Sequence, residues 1–230
     1  MKGVRFEGLR AVADPVELAA TYSESGADEL VFLDVRATLE ERQTVVGLVR
    51  RVADRLAIPF TVGGGVRRVA DAAELLRAGA DKVALNSAAV ERPVLVTEIA
   101  EELGSQAVVV AIDAKGGRVR SRAGTFATPR LAVDWAYEAA ERGAGEILLT
   151  SIDADGTRAG YDLELTAAVA EAVRLPVIAS GGAGNARHVA EALEVVPAVL
   201  LASILHEDPA RLRSLRGELR SLGVPVRDAA

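Results

Sequence analysis

A carboxylate stands at the end of a long apolar segment in the middle of the chain. Asp113 follows residues 107–112, a run typical of a buried parallel strand. A carboxyl group in that position is partly desolvated, so its pKa rises toward values that suit general acid–base catalysis. An ion pair with Lys115, or a loop cap, would instead make this side chain structural. The catalytic interpretation is favoured because the strand directs Asp113 toward the ligand side.

Two glycine-rich turns suggest a second kind of chemistry, the binding of phosphate. Glycines let backbone amides approach a ligand closely, and a following helix start adds unpaired N–H donors. The symmetric pair of turns favours a substrate with two phosphates, although the glycines could merely permit close packing. The two clusters are residues 63–65 with Asn86-Ser87, and residues 181–184 with Ala202-Ser203.

The acidic segment after residue 150 resembles a metal-binding loop only superficially. Asp153 and Asp155 precede Gly156, but the series of calcium ligands is incomplete because no glutamate stands at the twelfth position. Hydrogen bonding to substrate hydroxyls is the better interpretation. His188 and His206 have no second ligand at metal spacing. The sequence therefore predicts no metal and no cofactor.

These groups are positioned by a chain that repeats itself over half its length. The segment at residues 58–66 recurs at residues 175–183, so that Pro59 and Pro176 lie 117 residues apart. The same offset relates residues 29–32 to residues 146–149. The chain is thus a duplicated set of βα units.

The alternation of apolar runs with amphipathic segments predicts an α/β fold with a parallel sheet covered by helices. Together with the repeat, it favours a single (βα)8 TIM barrel over residues 1–230, with half-barrel duplication, over an open doubly wound sheet. Helices are predicted near residues 14–25, 40–56, 69–78, 91–103, 129–142, 163–173, 185–194 and 208–221. Strands are predicted near residues 29–34, 58–62, 81–86, 107–112, 146–151, 175–179 and 198–202.

Eight helices with seven strands leave one strand unaccounted for. Counting 117 residues back from Asp113 gives a position before Met1. We therefore expect the opening strand to be left off or replaced, with a groove or a repaired seam between the strands at 29–34 and 198–202. The segment at residues 2–6 would be a poor replacement.

Composition excludes several functional classes. The net charge of −6 argues against a generic nucleic-acid binder or a protein that binds anionic membranes. The chain contains no cysteine, no apolar run long enough to span a membrane, and no apolar signal peptide at its start. A cytoplasmic protein is expected.

Several segments resemble the cyclase subunit of imidazole glycerol phosphate synthase, a (βα)8 barrel of histidine biosynthesis, and the resemblance runs from about residue 2 to residue 227. That family takes ammonia from a glutaminase partner and converts a bis-phosphorylated ribulosyl aminoimidazole carboxamide intermediate to imidazole glycerol phosphate and aminoimidazole carboxamide ribotide. The segments are residues 28–34, 61–66, 79–83, 106–115, 143–153 and 178–184.

The resemblance also implies roles for individual residues. Asp113 would be one of the family's two catalytic aspartates. One phosphate would be held by Gly64, Gly65, Asn86 and Ser87, and the other by Gly181, Gly182, Ala202 and Ser203. Asp155 and Gly156 would lie near the glycerol or ribulose moiety. Glu40, Lys82 and Glu146 would belong to the charged ring where ammonia enters, at the N-terminal barrel face that meets the glutaminase.

The chain departs from the family in ways that bear on activity. The family's other catalytic aspartate lies on the first strand, so we expect little or no turnover without that strand. The segment after Asp113 is shorter than usual and is similar to that of the sister isomerase. Two alternatives therefore stay open, a non-catalytic phosphate-binding barrel and the sister phosphoribosyl isomerase, the latter disfavoured by residues 150–157.

Overall fold

The structure, a computed structural model, describes residues 2–4, 7–10, 14–34, 46–208 and 210–227. Strands and helices alternate along these ranges. The strands are Lys2–Val4 (β1), Glu7–Arg10 (β2), Leu30–Leu33 (β3), Phe60–Gly63 (β4), Lys82–Leu85 (β5), Val108–Lys115 (β6), Arg118–Ser121 (β7), Phe126–Leu131 (β8), Glu146–Ser151 (β9), Val177–Ser180 (β10) and Ala198–Leu200 (β11). The helices are Pro15–Glu24 (α1), Val46–Ala53 (α2), Val69–Arg77 (α3), Ser87–Glu91 (α4), Val94–Leu103 (α5), Ala132–Glu141 (α6), Leu163–Ala172 (α7), Ala186–Leu193 (α8), Ser203–Glu207 (α9) and Arg211–Ser221 (α10).

A curled parallel sheet forms the centre of the fold. Across the described residues its strands follow the order β11-β10-β9-β6-β5-β4-β3, and each neighbouring pair is parallel. Helices connect successive parallel strands. This arrangement confirms the predicted α/β fold of the TIM-barrel type, in which the carboxyl ends of all the strands meet at one edge.

Alternation along the strands creates two apolar layers. On β6, Val108, Val110 and Ile112 pack with the helices in the larger cluster, whereas Val109 and Ala111 join a small inner cluster. Ala84 and Leu148, on the two strands beside β6, belong to the same inner cluster. Both faces of β6 are therefore apolar, which explains why its sequence is a continuous hydrophobic run.

Local signals explain where several helices begin. The Asp14 carboxylate accepts a hydrogen bond from the Val16 backbone N–H at 2.9 Å, and Pro15 occupies the first helical position of α1. Asn185 caps α8 in the same manner by accepting from the His188 backbone N–H at 3.0 Å. Such caps satisfy N–H groups that have no partner within the helix.

The region after β6 differs from its prediction. Residues 116–120 were expected to form a loop and residues 129–142 a helix, but β7 and β8 form an antiparallel hairpin attached to β6, and α6 starts only at Ala132. The helix predicted over residues 91–103 corresponds to α5, which starts at Val94. The short helix α4 before it was not predicted, and it ends before Arg92-Pro93 because proline cannot continue a helix that precedes it.

The parallel sheet has two ends. Among the described residues no strand joins β3 to β11, and β1 pairs with β2 in a separate antiparallel hairpin. The N-terminal hairpin was not predicted, although the segment at residues 2–6 showed some strand character. The replacement or loss of an opening strand stays a prediction.

Candidate active site

Asp113 and Asn86 form the centre of the candidate site. Asn86 follows β5 directly and Asp113 lies near the carboxyl end of β6, so the two neighbouring strands bring them together. The Asn86 Nδ2 atom donates a hydrogen bond to Asp113 Oδ2 at 2.7 Å. The Oδ1 atom of Asn86 is buried and has no hydrogen-bond partner. This amide therefore holds Asp113 through its donor side.

The surroundings of Asp113 shift its ionisation. Burial raises the pKa of its carboxyl group to about 7, the negative charge of Asp155 adds to the effect, and the hydrogen bond from Asn86 opposes it. Both protonation states are then accessible near neutral pH. This is the property required of a group that accepts and returns a proton during a reaction.

The structural alternative for Asp113 is not supported. Lys115 is exposed, and no ion pair joins it to Asp113 in the part of the chain that the structure describes. In the antiparallel pairing of β6 with β7, Lys115 lies opposite Arg118. Asp113 is thus held by an amide rather than neutralised by a neighbouring cation.

Six of the predicted residues lie together at the second glycine-rich turn. They surround a small, partly open cleft, where the carboxyl ends of β10 and β11 meet the segment after β9. A hydrogen bond to a histidine ring stabilises the backbone of the turn, since the Gly184 N–H donates to His188 Nδ1 at 3.2 Å. The cleft is lined by Asp155, Gly156, Gly181, Gly182, Ala202 and Ser203, together with Ser180, Ala183 and Leu200.

The glycines of this turn are required by the backbone itself. Gly181 and Gly182 have φ angles of +94° and +102°, in the left-handed region that favours glycine. A Cβ atom on Gly181 would lie 2.7 Å from the Ser151 carbonyl oxygen, and one on Gly182 would lie 1.9 Å from the Gly160 carbonyl oxygen. Close packing therefore accounts for part of the glycine pattern, and the binding interpretation rests on the cleft.

The first glycine-rich turn is built in the same way after β4. Gly64 has a φ angle of +100°, and a Cβ atom there would lie 2.3 Å from the Asp34 carbonyl oxygen. Ser87, the first residue of α4, accepts a hydrogen bond through Oγ from the Arg122 backbone N–H at 2.8 Å. The turn between β7 and β8 therefore reaches the rim beside Ser87, a contact that the sequence did not reveal. Gly65 also has a positive φ, of +74°.

A charged cluster occupies the opposite end of the strands. The Lys82 ammonium lies 2.6 Å from Glu146 Oε1 and 3.0 Å from Glu29 Oε2. These side chains stand where β5, β9 and β3 begin. Burial lowers the pKa of Lys82, but hydrogen bonds and charge interactions with both glutamates outweigh this and raise it overall.

The structure brings together two of the three residues predicted for this cluster. Lys82 and Glu146 lie together, whereas Glu40 lies outside the described residues. The glutamate seen beside Lys82 is Glu29, which was not predicted. The repeat contained the signal, because Glu29 is the counterpart of Glu146 at the offset of 117 residues.

Two of the other acidic and histidine residues, Asp153 and His206, make contacts that stabilise the fold. Asp153 accepts a hydrogen bond from the Gly116 backbone N–H at 2.7 Å, which ties the segment after β9 to the turn after β6. His206 contacts the Tyr22 hydroxyl through Nδ1 at 2.5 Å.

No helix in the described part of the chain is long and apolar enough to cross a membrane.

Comparisons with known proteins give consistent results. Residues 1–211 match the family model described as "Histidine biosynthesis protein". Three similar relatives each carry the name imidazole glycerol phosphate synthase subunit HisF. The protein from Synechococcus sp. (strain CC9605) is 55% identical over 238 residues, covering 99% of this chain and 93% of the relative. That from Myxococcus xanthus (strain DK1622) is 55% identical over 233 residues, covering 99% and 92%. That from Thermosynechococcus vestitus is 52% identical over 241 residues, covering 100% and 86%.

Proposed function

This chain belongs to the histidine biosynthesis protein family, as a cyclase subunit of imidazole glycerol phosphate synthase, and we propose that Asp113 transfers protons in its ring-closing reaction. The observation that supports this role is the contact between Asn86 and Asp113, in a setting that brings the pKa of the carboxyl group to about 7. Incorporating ammonia into a new ring and releasing an aminoimidazole both require protons to move. A carboxyl group that titrates near neutral pH can accept and return them.

The substrate proposed for this site is the bis-phosphorylated ribulosyl aminoimidazole carboxamide intermediate. One phosphate is assigned to Gly64, Gly65, Asn86 and Ser87 beside β4 and β5. The other is assigned to the cleft beside β10 and β11, where Gly181 and Ser203 lie. Because β6 and β9 separate these two strand pairs in the sheet, a ligand that spans both sites passes over Asp113.

Asp155 is assigned to the organic part of the substrate. It lines the cleft at the second glycine-rich turn, and its charge also acts on Asp113. A carboxylate between a phosphate site and the proton-transfer group is well placed to accept hydrogen bonds from the hydroxyls of a sugar phosphate. Gly156 follows it in the same cleft.

The relatives are named as subunits of a synthase, and we assign the partner's position to the end of the barrel that carries Lys82. A glutaminase docked there would release ammonia beside the cluster of Lys82, Glu29 and Glu146, at the opposite ends of the strands from Asp113. Lys82 would then control the passage of ammonia into the barrel, because its ion pairs join the starts of three strands.

The experiment that tests this function supplies ammonia directly as an ammonium salt, so that no glutaminase is needed. The purified chain is incubated with the bis-phosphorylated intermediate, and imidazole glycerol phosphate is measured. Product that forms more slowly in Asp113→Asn supports the cyclase. Binding of the intermediate without any product, both in this chain and in one with an added opening strand, would support a non-catalytic barrel. The sister isomerase has no support from the relatives, each of which is named a synthase subunit.

A further inference from the structure

Strand β7 presents one buried face and one charged face. Val119 and Ser121 are buried at 0% and 1% exposure, and the buried Ala114 lies opposite Val119 on β6. Residues at alternate positions of a strand point to opposite sides. The other face of the β6–β7 ribbon therefore carries charged residues, namely Asp113, Lys115, Arg118 and Arg120.

Arg120 lies directly opposite Asp113. The two residues are partners in the antiparallel register of β6 and β7, so their side chains leave the ribbon on the same side. Asp113 points into the candidate active site, where it meets Asn86. Arg120 is thus the arginine of this hairpin that stands in register with the proton-transfer residue.

The guanidinium of Arg120 lacks a counter-ion within the described structure. Its Nε atom is buried and has no hydrogen-bond partner. Arg118, two residues earlier on the same face, is exposed and donates from NH1 to the Pro129 carbonyl oxygen at 2.8 Å. Arg122 forms an ion pair with Glu91 at 3.2 Å. Arg120 is therefore the exception among three arginines at alternate positions.

Leaving a guanidinium nitrogen buried without a partner is unfavourable, since its hydration is lost and nothing replaces it. Asp113 does not fill this role, because no ion pair joins the two side chains and burial favours the neutral form of its carboxyl group. An anion from outside the chain would satisfy Arg120. Phosphate suits it best, because the planar guanidinium matches two phosphate oxygens at once.

The position of the hairpin indicates which phosphate. The Arg122 backbone N–H is bonded to Ser87 Oγ, and Asn86 is bonded to Asp113. Both contacts place the Arg120 strand beside the first phosphate site. We propose that Arg120 is a further substrate-binding residue, which holds the phosphate seated at Asn86 and Ser87. This proposal rests on the proposed function, since it concerns a contact to the same substrate.

The two reaction products allow a selective test. Splitting the bis-phosphorylated intermediate leaves one phosphate on imidazole glycerol phosphate and one on the aminoimidazole carboxamide ribotide, so each product occupies one phosphate site. Binding of the intermediate and of each product is measured by calorimetry for wild type, Arg120→Gln, Arg120→Lys and Arg118→Gln. Arg118→Gln is the matched control, because it removes an arginine from the same face whose guanidinium already has a carbonyl partner.

Arg120→Gln is expected to bind the intermediate about 10- to 100-fold more weakly, as is usual for a lost charge-assisted hydrogen bond. It should weaken one product to a similar extent and leave the other unchanged. Arg120→Lys should bind more tightly than Arg120→Gln at low salt and lose this advantage as the salt concentration increases. Lysine keeps the positive charge but lacks the paired N–H donors of the guanidinium that match two phosphate oxygens. Arg118→Gln should bind all three ligands as wild type does.

Two results would overturn the role of Arg120 while leaving the proposed function intact. One is equal affinity of wild type and Arg120→Gln for all three ligands. The other is an equal loss of affinity for both products, which would show that the substitution disturbs the fold rather than one contact. If wild type binds none of the three ligands, the proposed function itself fails, and the role of Arg120 fails with it.

Discussion

The Asn86 Nδ2 atom lies 2.7 Å from Asp113 Oδ2, and this contact joins the carboxyl ends of two neighbouring parallel strands. It connects two kinds of chemistry that the sequence suggested separately. Asn86 belongs to the proposed phosphate site, whereas Asp113 is the proposed proton-transfer group. A substrate phosphate that engages Asn86 would therefore also affect the ionisation of Asp113.

The ionisation of Asp113 predicts how stability depends on pH. Because its pKa is raised to about 7 in the folded protein, the folded chain binds more protons than the unfolded chain between about pH 4 and that value. Its contribution to stability is therefore present at low pH and is lost as the pH rises through this range. Asp113→Asn removes the dependence, so its free energy of unfolding should increase relative to wild type by up to about 4 kcal/mol from pH 4 to pH 8.

Urea unfolding at a series of pH values measures this difference directly. The expected result is a gap between wild type and Asp113→Asn that widens as the pH increases and levels off above pH 7. Two curves that run parallel across the whole range would show that Asp113 titrates as an ordinary exposed aspartate.

The contact from Asn86 makes a second prediction about the same group. The hydrogen bond from its amide stabilises the ionised carboxylate, so Asn86→Ala should raise the pKa of Asp113 further. Carbon-13 NMR titration of labelled aspartate measures this pKa in both proteins. Asn185→Ala is a suitable control, because Asn185 caps α8 and has no contact with Asp113. An unchanged or lowered pKa in Asn86→Ala would contradict the assigned hydrogen bond.

Much of this site was predictable because the repeat fixes equivalent positions in both halves. The glycine turns follow from the offset of 117 residues, Asn86-Ser87 and Ala202-Ser203 follow from an offset one residue shorter, and ligands bind at the carboxyl ends of barrel strands. Asp113 was predictable because it is a carboxylate at the end of an apolar run. The strands lie within a few residues of their predicted positions for the same reason.

The hairpin was not predictable from the same signals. Residues 118–121 carry three polar side chains and one valine, so their alternation is too short and too polar to indicate a strand. Their pairing depends on β6, which extends past Asp113 to Lys115 and offers its edge. Glu29 was missed for a different reason, since the repeat related it to Glu146 but did not show that both glutamates meet Lys82.

The phosphate sites are better tested at serines than at glycines. Gly64 and Gly181 adopt left-handed backbone conformations against carbonyl oxygens, so replacing them would strain the fold as well as block a ligand. Ser87→Asp and Ser203→Asp each place a negative charge beside one proposed phosphate. Each should weaken binding of the bis-phosphorylated intermediate by at least about 10-fold in calorimetry, since the charge repels the phosphate. Unchanged affinity in both variants would rule out the two-phosphate assignment.

The cluster at the opposite end should contribute to stability and to coupling with a partner. Lys82→Met leaves Glu146 partly buried without its cation, at a cost of about 1–3 kcal/mol in urea unfolding. Arg92→Gln, which breaks the exposed pair with Glu98, should change stability far less than Lys82→Met does. With a glutaminase partner, Lys82→Met should lower turnover from glutamine more than turnover from ammonium. An equal decrease in turnover from glutamine and from ammonium would argue against control of ammonia passage by Lys82.

The two end strands of the parallel sheet, β3 and β11, suggest a test of whether an added strand increases stability and turnover. The outward-facing backbone groups of β3 and β11 have no strand partner in the described structure, and such edges readily accept another strand. A chain with a strand-forming segment fused ahead of Lys2, ending in an aspartate, should pair with these edges. We expect higher stability in urea and faster turnover than in the present chain. If the fused segment changes neither, the sheet has no vacant position for it.

Proton transfer by Asp113 is tested most directly by ammonia-dependent formation of imidazole glycerol phosphate by this strand-completed chain, with and without Asp113→Asn. General acid–base groups usually contribute about 10²–10⁴-fold to a rate. We expect a loss of that size in the Asp113→Asn variant, while the affinity for the bis-phosphorylated intermediate, measured in parallel, changes little. Equal rates of product formation with aspartate and with asparagine at position 113 would contradict it.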